Sequence, residues 1–390
     1  MGKEGRKNCK LLMKNFFNNI RILIECYAFF LTHGFAVKKN DNPKTVVIIQ
    51  MAKLGDMVCT TPMFRAVKNR FPESKLIIVG NAFNREILSG NNDVDDYFVW
   101  DKNVVSLVHF LKKLKPEFLC ITSPNATALA GSYIAGVQNI ATPIVKGGFC
   151  PTQTKLYRLL SFLVKKVPHY MGQYAPGEYL RLLEVVDIYT NDTTKYLSFS
   201  KESEENVCKF LHEHSLSAND LIVGIAPAAG NKIKQWPPER FGEVADYLIE
   251  KHKAKIVLIG GPQDISEEGD MISSMRFGEL VVLSAGKFSV DELKALVSKL
   301  SFFVAVDTGP IYIAEAFGTP TIDIIGPIDE NEQPPVGKNH LRVLSPYRKK
   351  PIMHVMNSRI FNVSNAKKAV LDITVDQVIS EVKKLIFNER

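Results

Sequence analysis

The sequence predicts two open α/β domains in series, each a parallel sheet with covered faces. Short apolar runs rich in β-branched residues lead into stretches of helical patterning, and that alternation starts at residue 45 and restarts at residue 221. Buried parallel strands have this continuous apolar character, and strand–helix alternation argues for a parallel sheet. With two such sheets the natural ligand site is the cleft between them, because ligands bind beyond the carboxyl ends of the strands.

Residues 1–43 stand apart from this pattern. They open with Lys3, Arg6, Lys7, Lys10 and Lys14, then Phe16 and Phe17, then a mostly apolar stretch over residues 22–31 that Glu25 interrupts. The stretch is too short to span a bilayer, and no small-x-small cleavage site follows it. Two readings stay open. One is a basic, aromatic-rich helix lying on an anionic membrane surface. The other is an extra helix packed on the first domain.

The first domain is expected over residues 44–195. Strands are expected at 45–50, 75–79, 98–100 and 118–121, and helices at 61–71 and 104–115, with 150–195 largely helical. The second is expected over residues 196–390. Its strands are read at 221–226, 255–259, 281–283 and 302–306, with 321–325 the last clear one. Its helices are read at 238–252, where Pro238 and Glu239 suit a first turn, at 290–299, at 308–317 and at 375–387. The last helix is a candidate to pack back on the first domain.

Composition narrows the function classes. The net charge of +8 suits phosphate-bearing or acidic partners. The lysines are spread along the chain and no nucleic-acid motif stands out, so nucleic acid is not the expected partner. The six cysteines form no C-x-x-C pair and are widely spaced, which reads as free thiols in a reducing cytoplasm. The scattered histidines show no metal-ligand spacing.

Three loops that follow strands carry chemistry. In the first, Gly55 permits a tight turn near a ligand, and Asp56 sits near a helix N-terminus. Asp56 reads equally as a helix cap or as a catalytic carboxylate. In the second, small residues at 226–230 let backbone approach a phosphate, and Lys232 and Lys234 bring positive charge to it. A leaving nucleoside diphosphate gains negative charge that a placed cation stabilises. Trp236 and Pro237 next door suggest a fixed loop. In the third, Asp307 ends a strand and Thr308 and Gly309 begin a helix, which aims their N–H groups at the cleft. Neither a Walker loop nor a G-x-G-x-x-G fingerprint is present, against a P-loop kinase or a common dehydrogenase.

The motifs Leu54-Gly-Asp56, Thr61-Pro62 and Arg65-Ala66 resemble the opening of glycosyltransferase family nine, the ADP-heptose:lipopolysaccharide heptosyltransferases. The run from Lys234 through Trp236 and Pro237 to Phe241 is similar to that family's lysine-x-tryptophan-proline stretch. Gly260-Gly-Pro262, Asp307-Thr-Gly-Pro310, Gly318-Thr-Pro320 and Gly326-Pro327 complete the series in order. The resemblance runs from about residue 45 to the C-terminus.

It implies a GT-B fold, with two Rossmann-like domains facing across a cleft, and an inverting transfer with no tightly held metal and no cofactor beyond the nucleotide-sugar donor. Asp56 would be the general base on the acceptor hydroxyl. Lys234 would neutralise the donor phosphates, with Gly55 and Lys232 beside them. Asp307 would help hold the donor sugar, and Thr308 and Gly309 its diphosphate. Phe288 would touch the base, and Gln263 or Asp264 the ribose. Heptose and ADP are the favoured sugar and nucleotide. A lipid-linked glycan such as a lipopolysaccharide core is the favoured acceptor, at the inner face of the cytoplasmic membrane. The chain departs from the family pattern at Ala52 and Lys53, where small hydroxyl residues are common, and at Tyr312, where histidine is frequent. Those departures motivate a rival reading, a non-catalytic nucleotide-sugar-binding protein; a nucleotide-sugar epimerase on the same scaffold is a further alternative.

Overall fold

A computed structural model describes residues 3–388 apart from 38, 39 and 41, with side chains described over 18–386 apart from the same three. The basic cluster of Lys3, Arg6, Lys7, Lys10 and Lys14, with Phe16 and Phe17, therefore has its side chains outside the described residues.

The first sheet comprises β1 (Thr45–Ile49), β2 (Lys75–Gly80), β3 (Asp96–Val99), β4 (Phe118–Ile121), β5 (Ile140–Lys146) and β6 (Lys165–Tyr170). The second comprises β7 (Ile222–Ala226), β8 (Lys255–Leu258), β9 (Val282–Leu283), β10 (Phe302–Val306), β11 (Thr321–Ile325) and β12 (His340–Leu344). Their orders are β3-β2-β1-β4-β5-β6 and β12-β11-β10-β7-β8-β9. Counted from its own first strand, each sheet therefore runs 3-2-1-4-5-6, the doubly wound Rossmann order. All the strand pairs are parallel.

Among the described residues, the α-helices that accompany the first sheet are α1 (Lys3–His33), α2 (Leu54–Arg70), α3 (Ala82–Ile87), α4 (Val104–Leu114), α5 (Ala126–Ile134), α6 (Lys155–Leu160) and α7 (Ala175–Leu180). Those that follow are α8 (Lys201–Glu213), α9 (Pro238–His252), α10 (Ile265–Ser274), α11 (Val290–Ser298), α12 (Gly309–Ala316), α13 (Val363–Leu371) and α14 (Val375–Asn388).

Alternation along β1 divides the core. Val47 and Ile49 face one apolar cluster with α4, α5 and α1, whereas Val46 and Ile48 face another with α2 and α7. The second of these continues without a break into Phe303, Ala305 and Ile311, so one apolar cluster joins the two domains. A separate cluster covers the far face of the second sheet, built from α9, Trp236 and the α14 residues Val378, Val382 and Leu385. The last helix thus lies on α9, β11 and β12 of its own domain, where the sequence had left open a return to the first.

Three further readings are corrected. Residues 150–195 are not largely helical, since β6 runs through them, and β5 precedes them. The strand after 321–325 is β12. β6 and β12 are edge strands, each with one neighbour, and their sequences, with Lys165, Lys166 and Pro168 or with His340 and Arg342, lack a continuous apolar run. Helix α2 begins at Leu54 rather than at residue 61, which places Asp56 inside its first turn.

The N-terminal helix packs on the first domain. Ile22 and Cys26 are buried, and Leu23, Phe29 and Phe30 pack on the same cluster. Among the described residues no helix is long and apolar enough to cross a membrane.

Candidate active site

The N-terminal ends of α2 and α12 meet between the sheets because two glycines let them. A Cβ on Gly55 would lie 2.7 Å from Cδ2 of the Tyr312 ring, and one on Gly309 would lie 3.1 Å from the Leu54 side chain. Both positions need a residue without a side chain for the helices to pack. Beside this junction opens a cleft of about 970 Å³, lined from the first domain by Lys53, Leu54 and Gly55 and from the second by Lys234, Thr308 and Gly309.

Asp56 is the third residue of α2, and its Oδ2 accepts the Lys53 backbone N–H at 3.1 Å. Its Oδ1 accepts from Gln333 Nε2 at 3.3 Å. The cap and the candidate base are therefore one residue, with a different oxygen in each role. Burial pushes the Asp56 carboxyl up to about 6, against the Gln333 and Lys53 hydrogen bonds that favour its charged form. Asp307 adds to the rise and Lys234 opposes it. A carboxylate poised near neutrality suits proton abstraction.

Lys234 closes a short turn after β7, and its Nζ donates to the Asp307 carbonyl at 2.6 Å and to Asp307 Oδ2. Trp236 fixes that loop, as its sequence suggests. It is fully buried, and its Nε1 donates to the Ile373 carbonyl at 3.0 Å. The other Asp307 oxygen accepts from the Tyr312 hydroxyl. Both carboxylate oxygens of Asp307 are thus engaged by the chain itself, one by Lys234 and one by Tyr312. Asp56 and Asp307 stand one residue back from the wall formed by Gly55 and Thr308.

At the far end of the cleft lie Phe288, Gln263 and Asp264. Phe288 packs edge-on against Phe210 at 4.9 Å between ring centroids. Asp264 Oδ2 accepts the Gly261 N–H at 2.8 Å and Gln263 Nε2 at 3.3 Å, so that oxygen serves as a cap for its turn. Lys232 reaches the rim, 86% exposed, where it pairs with Glu267 at 3.3 Å.

The structure adds residues that sequence reasoning passed over. Lys53 Nζ lies 4.0 Å from where a Cβ on Gly230 would stand, so it reaches across the cleft as a second cation. It had been read only as a departure from a hydroxyl residue. Gln333 comes from a loop with no motif of its own. Asp323, on β11, is fully buried with neither carboxylate oxygen hydrogen-bonded. Burial and the neighbouring Asp307 push its carboxyl well above the ordinary range.

Among the described residues, Asp329, Glu332 and His354 stand close enough to share a cation. Their atoms are already matched, however. His354 Nδ1 lies 3.0 Å from Glu332 Oε1 and 3.3 Å from Asp329 Oδ2, and the Glu332 oxygens accept the backbone N–H groups of Gly172 and Val355.

Residues 144–359 match the family described as Glycosyltransferase family 9 (heptosyltransferase), a span that covers the Lys234, Asp307 and Gln333 side of the cleft. The chain belongs to that family. It is a glycosyltransferase by that membership, and its expected GT-B architecture is the one observed. Lipopolysaccharide heptosyltransferase 3 of Escherichia coli (strain K12) is 26% identical over 350 residues, covering 85% of this chain and 95% of that protein. Lipopolysaccharide heptosyltransferase 2 of the same strain is 21% identical over 373 residues, covering 88% and 99%. The glycosyl transferase family 9 structure from Veillonella parvula DSM 2008 superposes with a TM-score of 0.72 at 19% identity, covering 88% of this chain and 98% of that one. The E. coli ADP-heptose lps heptosyltransferase II structure gives 0.70 at 18%, covering 88% and 99%. These structures share the overall fold described above.

Proposed function

We propose that this chain is an inverting glycosyltransferase that moves a sugar, heptose by preference, from an ADP-linked donor to a lipopolysaccharide core or related lipid-linked glycan. The observation that carries it is a carboxyl poised near neutrality, Asp56, set directly behind the Gly55 wall of the cleft that a fixed cation, Lys234, also lines. The names of the relatives support the sugar and the acceptor. One solved E. coli heptosyltransferase, with a TM-score of 0.61, was determined with ADP-2-deoxy-2-fluoro heptose.

In this reading the donor diphosphate lies against Lys234, Lys53 and the N–H groups of Thr308 and Gly309, and the nucleoside extends toward Gln263, Asp264 and Phe288. Asp56 removes the proton of the acceptor hydroxyl as its oxygen bonds to the anomeric carbon. The bond from that carbon to the phosphate oxygen breaks, and the nucleoside diphosphate leaves with the bonding pair. Opposite-face attack inverts the anomeric centre. The cations and the α12 N-terminus take up the charge that develops on the leaving group, so the reading assigns no step to a metal or other cofactor.

The acceptor's lipid end places the enzyme at the inner face of the cytoplasmic membrane. Helix α1 supports this. Opposite its packed face, Ile20, Ile24, Tyr27 and Leu31 form an outward row at helical spacing, the last three 63%, 65% and 67% exposed. In sequence the helix starts with a run of lysine and arginine. An apolar row with basic neighbours suits an anionic lipid surface.

Calorimetric titration of wild type and Lys234→Ala with ADP, UDP, GDP and CDP tests the donor. Selective ADP binding, weakened in the variant, is the expected result. Preference for another nucleotide removes the ADP-heptose assignment, and binding of none removes the transferase mechanism drawn here.

A further inference from the structure

The loop after β11 returns to the first domain, and it is the loop that touches Asp56. Its Glu332 is buried, 3% exposed, and is held from both domains. Glu332 Oε1 accepts the Gly172 N–H at 2.7 Å and Oε2 the Val355 N–H at 2.5 Å, while its carbonyl accepts the Ala175 N–H at 2.6 Å. The His354 imidazole closes the clasp between Glu332 and Asp329. Farther along, Val336 N–H bonds Glu315, whose other oxygen pairs with buried Lys195 at 2.6 Å. Arg342 holds the carbonyls of Glu330 at 2.7 Å and Pro335 at 2.9 Å. Gln333 sits between these anchors.

We propose that Gln333 is a positioning residue for Asp56, and that the Glu332 clasp holds it there, so that the base is oriented only while the two domains are together. The proposal rests on the reading of Asp56 as the general base. Oδ2 of Asp56 is held by the Lys53 N–H of its own helix, and Oδ1 is the oxygen held from the second domain, by Gln333. A carboxylate oxygen offers two lone pairs. Gln333 occupies one and leaves the other for the acceptor hydroxyl. Without that amide the carboxylate keeps one bond, at its helix end, and its plane is free to turn.

The same bond sets basicity. Donation to Oδ1 favours the charged carboxylate and so opposes burial. The other groups that face Asp56 are Lys234 and Asp307 from the second domain, Cys59 on α2 and Tyr179 from α7. None of these donates a hydrogen bond to Oδ1. The amide thus fixes direction and proton affinity together, and the clasp carries both across the domain seam.

The test reads Asp56 itself. Carbon-13 NMR of the intact protein, with Asp56→Asn to identify the signal, follows its titration in wild type, Gln333→Leu and Gln333→Met. Loss of the amide should move the midpoint above the wild-type value of about 6. Turnover in both variants should fall by roughly 10- to 100-fold, with nucleotide affinity unchanged, as expected for a misplaced catalytic group. Glu332→Gln should shift the midpoint the same way by a smaller amount. Variants that melt like wild type and show neither the shift nor the loss of turnover overturn the proposal. Retained transfer by Asp56→Asn would instead overturn the base assignment, and the NMR titration separates the two because it needs no turnover.

Discussion

The Tyr312 hydroxyl donates to Asp307 on the carboxylate oxygen that Lys234 does not hold. The ring of the same tyrosine lies against Gly55 in the other domain. One side chain therefore completes the Lys234–Asp307 pair and packs the floor of the cleft.

Tyr312→Phe leaves Asp307 Oδ1 without that partner in a buried place. Leaving a buried acceptor unsatisfied costs about 1–3 kcal/mol, and a urea denaturation midpoint should fall accordingly. Nucleotide affinity should fall with it, because Asp307 then holds Lys234 less firmly. A midpoint equal to that of wild type would mean that water or another group satisfies Asp307.

Gly55→Ala places a methyl group where only 2.7 Å separates it from the Tyr312 ring. Overpacking of this kind costs about 1–3 kcal/mol. The double variant Gly55→Ala/Tyr312→Ala relieves the clash, so the two effects should be strongly non-additive in a double-mutant cycle. Simple additivity would show that α2 and α12 separate easily in solution.

In the proposed mechanism Asp56 sets the pH dependence of transfer. The base must be charged, and burial raises its carboxyl to about 6. The rate should therefore decline as pH falls through that value, with a slope of one proton. An acid limb at the ordinary aspartate position, near 4 on the reference scale, would remove the burial argument.

The same raised value has a stability consequence. A carboxyl with a higher proton affinity in the folded than in the unfolded state stabilises the fold when protonated, and that contribution is lost as pH rises from the unfolded to the folded value. At neutral pH the charged, buried Asp56 is thus a net cost. Asp56→Asn should abolish transfer and raise stability by about 1–3 kcal/mol at pH 8. The gain should shrink as pH falls from about 6 toward the ordinary aspartate value near 4. Calorimetric melts at pH 4 and pH 8 check the sign, and a variant less stable at pH 8 contradicts it.

Vesicle flotation checks the outward row of α1. Ile24→Glu/Leu31→Glu should release the protein from anionic vesicles while leaving nucleotide binding intact, since Ile22 and Cys26 on the packed face are untouched. Light scattering on the same samples detects the competing outcome. A dimer that the variant dissolves would assign the row to self-association.

The sequence by itself determined the class of fold and one wall of the site. Short apolar runs such as 45–49 and 302–306, set between helical patterns, read as buried parallel strands, and the loops that leave such strands face a ligand crevice. That Lys234, Thr308 and Gly309 line the cleft was legible for that reason, since each lies in a loop or helix start that follows a strand. Edge strands β6 and β12 were not legible, because a strand with one neighbour needs no continuous apolar pattern. Only the tertiary structure decided what surrounds the base. Gln333 lies 277 residues from Asp56 in the chain, in a loop without periodicity, and its role exists only because Glu332 is buried against the first domain. The raised carboxyl of Asp56 was equally hidden, since it arises from exclusion of water by both domains at once. Local sequence fixes backbone conformation and strand order, while proton affinity and side-chain orientation depend on which distant groups the closed cleft brings within a few ångströms.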